Sequence, residues 1–223
     1  MQFAGRPLIH WTCEAARNAT AVRRTIVSTD SAEIAAAARA AGVEVPFMRP
    51  AQLSDDASPH YDVIAHALEW IEADEGTLPE YLCLLQPTSP LRTSADIDGT
   101  IRLVADGGGD SGFSLSLAAT HPELMYRLSD DGKTRHFLPP AEGYRRGQDM
   151  EPLYNVNGAV YVIRPESFRQ RQTVVSSDAL GYVMPPERSV DIDNEVDFVC
   201  AEALMLHFQS ERNAHRSGNG SET

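Results

Sequence analysis

The sequence predicts an α/β fold, a mostly parallel sheet flanked by helices. Apolar runs of strand length alternate with amphipathic or alanine-rich segments of helix length, the rhythm of successive βα units. Several of those runs end in polar clusters, as sheet strands do where they reach a ligand crevice. With 223 residues, 42% hydrophobic and 23% charged, the chain can bury a sizeable core.

The elements follow in order. Residues 7–19 read as a helix with Pro7 near its first turn. Residues 24–28 (RTIVS) read as a buried strand, 32–41 as an alanine-rich helix ended by Gly42, and 43–48 as a second strand. Tyr61, Ile64, Ala65, Leu68 and Ile71 give 59–72 helical spacing, and 81–86 (YLCLLQ) is a strongly apolar strand. A helix is predicted over 94–105 and a strand over 112–117. Residues 120–152 break the rhythm with Pro, Gly, Asp and paired basic residues, and the stretch is too long for a structureless loop. It reads as an excursion from the sheet, a hairpin or an oligomerisation arm. Residues 157–163 (NGAVYVI) return to the sheet, 180–184 form a further strand, and a helix covers 195–207. The expected division is one domain from 1–119 and 153–209, the arm at 120–152, and a disordered polar tail at 210–223.

A formal charge of -13 argues against nucleic acid and anionic membranes as partners, because both are held by clustered Lys and Arg. It leaves room for a small anionic ligand held by local donors or a metal. Cys13, Cys83 and Cys200 are odd in number, widely spaced and set in apolar runs, which reads as reduced core thiols of a cytoplasmic protein. No apolar run approaches the roughly 18 residues of a membrane span.

The polar clusters carry the chemistry, and each also fits a plain structural role. Ser28-Thr29-Asp30-Ser31 can face a ligand or cap the next helix. Arg92 in QPTSPLR can hold a carboxylate or phosphate bidentately, or make a surface ion pair. Asp191 and Asp193 lie two apart on an extended segment, so both carboxylates point one way and can share a hard divalent cation. The same pair can equally be a solvated acidic turn capping the last helix, with Asp197 adding to it.

Taken together, GRPLIHWTCEAA (5–16), IVSTDSAEIA (26–35), RPAQLSDD (49–56), LLQPTSPLR (84–92), NGAVY (157–161) and SVDIDNEVDF (189–198) resemble the acylneuraminate cytidylyltransferases, the CMP-sialic acid synthetase family that includes enzymes for legionaminic and pseudaminic acids. The resemblance runs from about residue 5 to 205. It implies a Rossmann-like nucleotide-diphospho-sugar transferase fold, and a cytidylyltransferase joining CTP to a sialic-acid-like nine-carbon α-keto sugar acid. Arg49 and the backbone near Ser58 are then expected at the cytidine of CTP. Gln86, Arg145 or Arg146, and Tyr161 are expected at the sugar acid, and Asp191 and Asp193 as catalytic ligands of Mg²⁺. A homodimer formed through the arm is implied as well.

The resemblance has gaps. The family's A-R-x-x-S-K-type phosphate loop precedes the motif at which this sequence starts, so Met1 is expected to be an internal or truncated start. Lys133 is the only lysine, and it lies in the arm. Asn155 stands where the family commonly has Arg, and Gly147 interrupts the wording after Arg145-Arg146. Two rival readings stay open: a catalytically inactive dimeric relative that binds sugar or acts as a scaffold, and a synthetase acting on eight-carbon 3-deoxy-octulosonate.

Overall fold

A computed structural model describes residues 1–54, 60–139 and 150–218. The chain opens with a two-strand hairpin, β1 (Gln2–Phe3) and β2 (Arg6–Pro7), turned by Ala4 and Gly5 at positive φ. Then come α1 (Leu8–Asn18), α2 (Ala32–Ala40) and α3 (His60–Glu75). They are followed by β3 (Leu82–Leu84), α4 (Ser94–Asp106) and β4 (Ser111–Leu117). The excursion carries β5 (Tyr126–Leu128) and β6 (Thr134–His136), which form a separate antiparallel ribbon. The chain closes with β7 (Tyr154–Ile163), α5 (Pro165–Arg171), β8 (Leu180–Val183) and α6 (Glu195–Gly218).

The main sheet has the order β3-β7-β4-β8 and is mixed: three of its four strands run the same way, in keeping with a mostly parallel sheet, and β7 opposes them. β4 and β8 are parallel, and β7 runs antiparallel to both of its neighbours. The cause is the excursion. Leu117 pairs with Tyr154 and Ala118 N donates to Leu153 O at 2.8 Å, so β4 and β7 are the two legs of one long hairpin with the arm inserted at its tip.

The strands expected over 24–28 and 43–48 survive only as two parallel bridges, Ile26 to Glu44 and Thr29 to Met48. Neither segment has another sheet partner among the described residues, and an isolated two-strand pairing is marginal. The last helix runs on to Gly218, past the point where a disordered tail was expected.

Helices cover both faces of the sheet. On one side Ala15, Ala16 and Ala19 near α1, with Ile97 and Val104 of α4, pack on Val160 and Val162. On the other, Ile64 and Leu68 of α3 and Phe168 of α5 meet Ile163, Leu82 and Leu84. The hairpin is anchored by Phe3, fully buried with Trp11, Leu91, Ala201 and Met205, and Trp11 Nε1 donates to Phe3 O at 3.1 Å.

Cys13 is buried and Cys83 packs against the first cluster, and desolvation pushes their thiols up to about 11 and about 12. Both are therefore protonated and inert at neutral pH. Cys200 differs from its expected core position, because it faces outward on α6. No helix among the described residues is long and apolar enough to cross a membrane.

Candidate active site

The β4–β7 ladder contains the feature that organises the site. Between the pairs Phe113–Tyr161 and Leu115–Val156, one residue on β4, Ser114, faces four on β7, so 157–160 bulge out of register. Gly158 takes φ +73° there, a conformation open mainly to glycine. Ser114 fills the gap, accepting from Val160 N at 2.8 Å and donating to Asn157 Oδ1 at 2.6 Å. Asn157 is 3% exposed, and its Nδ2 donates to Ser189 Oγ at 3.0 Å.

That last bond draws residues 189–193 against the bulge, and Ile192 N donates to Thr88 O at 2.9 Å. Val190 and Ile192 pack inward with Phe3, Trp11 and Leu91, which leaves Asp191 turned toward the bulge. A methyl group on Gly158 would meet Asp191 Oδ2 at 2.5 Å and Gln86 Oε1 at 2.9 Å. Gln86 and Asp191 thus converge on the bulge, and Ser89 Oγ stands 3.5 Å from Asp191 Oδ1. Burial and the Asp191 charge both raise the Tyr161 hydroxyl above its ordinary range, which puts that ring beside the same carboxylate.

The acidic turn is not merely a cap. Asn194 Oδ1 accepts from Val196 N and Asp197 N, and Asp197 Oδ2 accepts from Asp193 N and Asn194 N, a reciprocal box at the start of α6. The cap therefore uses neither the Asp191 nor the Asp193 carboxylate. Two carboxylates suit a hard cation that takes its remaining oxygens from water and phosphate. Among the described residues no group of three or more His, Cys, Asp or Glu forms a closed metal site.

Arg49 lies on a separate segment. Its Nη2 donates to Asp30 Oδ1 at 3.1 Å and its Nε to Ser54 Oγ at 3.2 Å, while Ser31 Oγ caps α2 by accepting from Ile34 N. The 28–31 cluster thus both caps a helix and orients Arg49. Ser58, Arg145 and Arg146 lie outside the described residues. Arg92 is not on the surface, and among the described residues it hydrogen-bonds no carboxylate: it is buried against carbonyls. Asn157, Gly158, Ser89 and Ser114 were not singled out as site residues, though the first two stand in NGAVY.

The cytidylyltransferase family model matches residues 1–178, more than half of the chain. The chain belongs to the cytidylyltransferase family. It is 33% identical over 199 residues to the N-acylneuraminate cytidylyltransferase of Streptococcus agalactiae serotype V, an alignment covering 88% of this chain and 46% of that protein. The chain thus spans about half the length of the curated relatives it matches first. It is also 28% identical over 212 residues to the CMP-N,N'-diacetyllegionaminic acid synthase of Legionella pneumophila, covering 91% of this chain and 87% of that one. Among solved structures, a CMP:2-keto-3-deoxy-manno-octonic acid synthetase complexed with CTP superimposes with a TM-score of 0.66 at 14% identity, over 93% of this chain and 90% of that one. At that identity the likeness speaks for the nucleotidyltransferase fold.

Proposed function

We propose that this chain is a CTP-dependent cytidylyltransferase acting on a sialic-acid-like nonulosonic acid, releasing CMP-sugar and pyrophosphate. Family membership and relatives named for N-acylneuraminate and legionaminic acid support the reading. The observation that carries it is the meeting of the Asp191 carboxylate and the Gln86 amide over Gly158 on one bulge, which suits a site where phosphate and sugar lie side by side.

In this reading Arg49 and the backbone near Ser58 hold cytidine. Gln86, Tyr161 and one of Arg145 and Arg146 hold the sugar acid. Its anomeric hydroxyl attacks the α-phosphorus, a P–O bond to the sugar forms, the bond to pyrophosphate breaks, and the hydroxyl proton is released. Asp191 and Asp193 would hold Mg²⁺, which when bound offsets charge on the triphosphate. The protein's own contribution is orientation: the bulge, the Asn157–Ser189 bond and the Asp197 box fix both aspartates before substrate arrives.

The arm supports a homodimer. Leu128 is 73% and Tyr126 54% exposed on the ribbon, and Leu117, Tyr154 and Val156 are exposed where the ribbon leaves the sheet, an apolar surface that a second copy can cover. The inert buried thiols fit a reducing cytoplasm.

The test is pyrophosphate release from CTP with Mg²⁺ and a panel of nine-carbon sugar acids, with Asp193→Ala alongside. Sugar-dependent release that Asp193→Ala abolishes is the expected result. Release from none of the panel, or release indifferent to Asp193→Ala, overturns the proposal.

A further inference from the structure

Arg92 is 3% exposed and charged, yet among the described residues it hydrogen-bonds no carboxylate. Its Nη1 donates to Gln86 O at 3.1 Å and to Ala159 O at 2.6 Å. Its Nη2 donates to Gln86 O at 3.0 Å and to Thr12 Oγ1 at 2.6 Å, and Nε is buried without a partner. Desolvation pulls the guanidinium down to about 10, so it stays protonated at neutral pH. The carboxylates of Asp96 and Asp191 attract it through space, but its hydrogen-bond acceptors among the described residues are all neutral, a costly way to bury a charge that needs a reason beyond packing.

The reason lies in the ladder. Pairing of β3 with β7 stops at Leu84 and Tyr161. Gln86 lies just beyond one end and Ala159 inside the bulge, so neither carbonyl has a partner strand there. The Arg92 fork takes the place of the missing ladder and ties the two carbonyls to α1 through Thr12. Only a planar guanidinium reaches all three acceptors at once; a lysine is a point charge on a flexible stem.

We infer that Arg92 is the positioning residue for the sugar-facing half of the site, acting through Gln86 and the Ala159 carbonyl. This rests on the function proposed above. The nucleotide-facing Arg49 belongs to another segment, held by Asp30 and Ser54, and Arg92 touches none of the three. The role therefore predicts a split between the two substrates that a general stabilising role does not.

The experiment compares Arg92→Lys with the milder Thr12→Val, which removes one acceptor and nearly keeps its shape, in hydrogen exchange of the ligand-free protein and in steady-state kinetics. Exchange should quicken at residues 86–89 and 157–161 with the rest unchanged. The KM for the sugar acid should rise about tenfold or more in Arg92→Lys while the KM for CTP stays within about threefold, and Thr12→Val should move the same way by less. Global loosening, equal rises in both KM values, or a lower Tm with both KM values unchanged overturns the role while leaving the proposed function standing. If Arg92→Lys does not fold, Thr12→Val decides by the same split. A wild-type chain that releases no pyrophosphate with any sugar acid overturns the proposed function, and the role with it.

Discussion

Asp191 Oδ2 lies where the first side-chain carbon of any residue at 158 would have to be, 2.5 Å from it. Gly158→Ala therefore meets two penalties, a positive φ that alanine resists and a collision that drives the carboxylate away. The variant should be destabilised by about 1–3 kcal/mol and lose at least about 100-fold in kcat/KM. Thermal unfolding and pyrophosphate release measure the two separately; retention of near-normal activity would separate the bulge from catalysis.

Asp197 holds the backbone of Asp193 and Asn194 without being a candidate ligand itself. Asp197→Ala should cost about 1 kcal/mol of stability, the usual worth of a cap, and raise the Mg²⁺ concentration needed for half-maximal rate. Asp191→Asn should instead abolish turnover with little change in Tm. A magnesium titration of both variants checks the contrast.

Arg188 forks onto the fully buried Asp96, Nε to Oδ2 at 3.0 Å and Nη2 to Oδ1 at 2.8 Å, and so anchors the turn that leads into Ser189. Burial pushes the Asp96 carboxyl up, but Arg188 and the Thr93 hydroxyl and amide outweigh it and hold the group below the usual carboxylate range. A folded-state value below the unfolded one gives stability that is complete above the unfolded value, about 3.9, and is lost as pH falls through the lower folded value. Acid unfolding should thus steepen below about pH 4, and Asp96→Asn should flatten that slope while costing about 2–4 kcal/mol at neutral pH. Denaturant midpoints between acid and neutral pH would show both effects.

Leu128→Asp places a charge at the most exposed apolar side chain of the ribbon. Sedimentation should show a dimer for the wild type and a monomer for the variant. A wild-type monomer would remove the arm's proposed role.

Helices were legible in the sequence because their signals are local: Ser31 caps α2 and Thr93 forms a capping box with Asp96, as their residue types suggest. What escaped was set by distant partners. The reversal of β7 depends on where the arm returns, and the burial of Arg92 on the carbonyls of Gln86 and Ala159, which lie beyond the last β3–β7 rung. The poor pairing of 24–28, limited to the isolated bridge from Ile26 to Glu44 among the described residues, is likewise reported by no property of RTIVS itself. Ser114 gives no sequence hint of its task, because its partner Asn157 stands far along the chain.

The hairpin that carries the arm closes on itself before the arm begins, with Leu117 against Tyr154 and Ala118 bonded to Leu153. Its base is thus a socket: whatever is spliced between those rungs inherits a fixed exit geometry, and the sheet does not sense its length. Such a joint lets evolution, or a protein engineer, exchange one loop for another while the bulge that opens at Asn157, three residues up the same strand, stays in register.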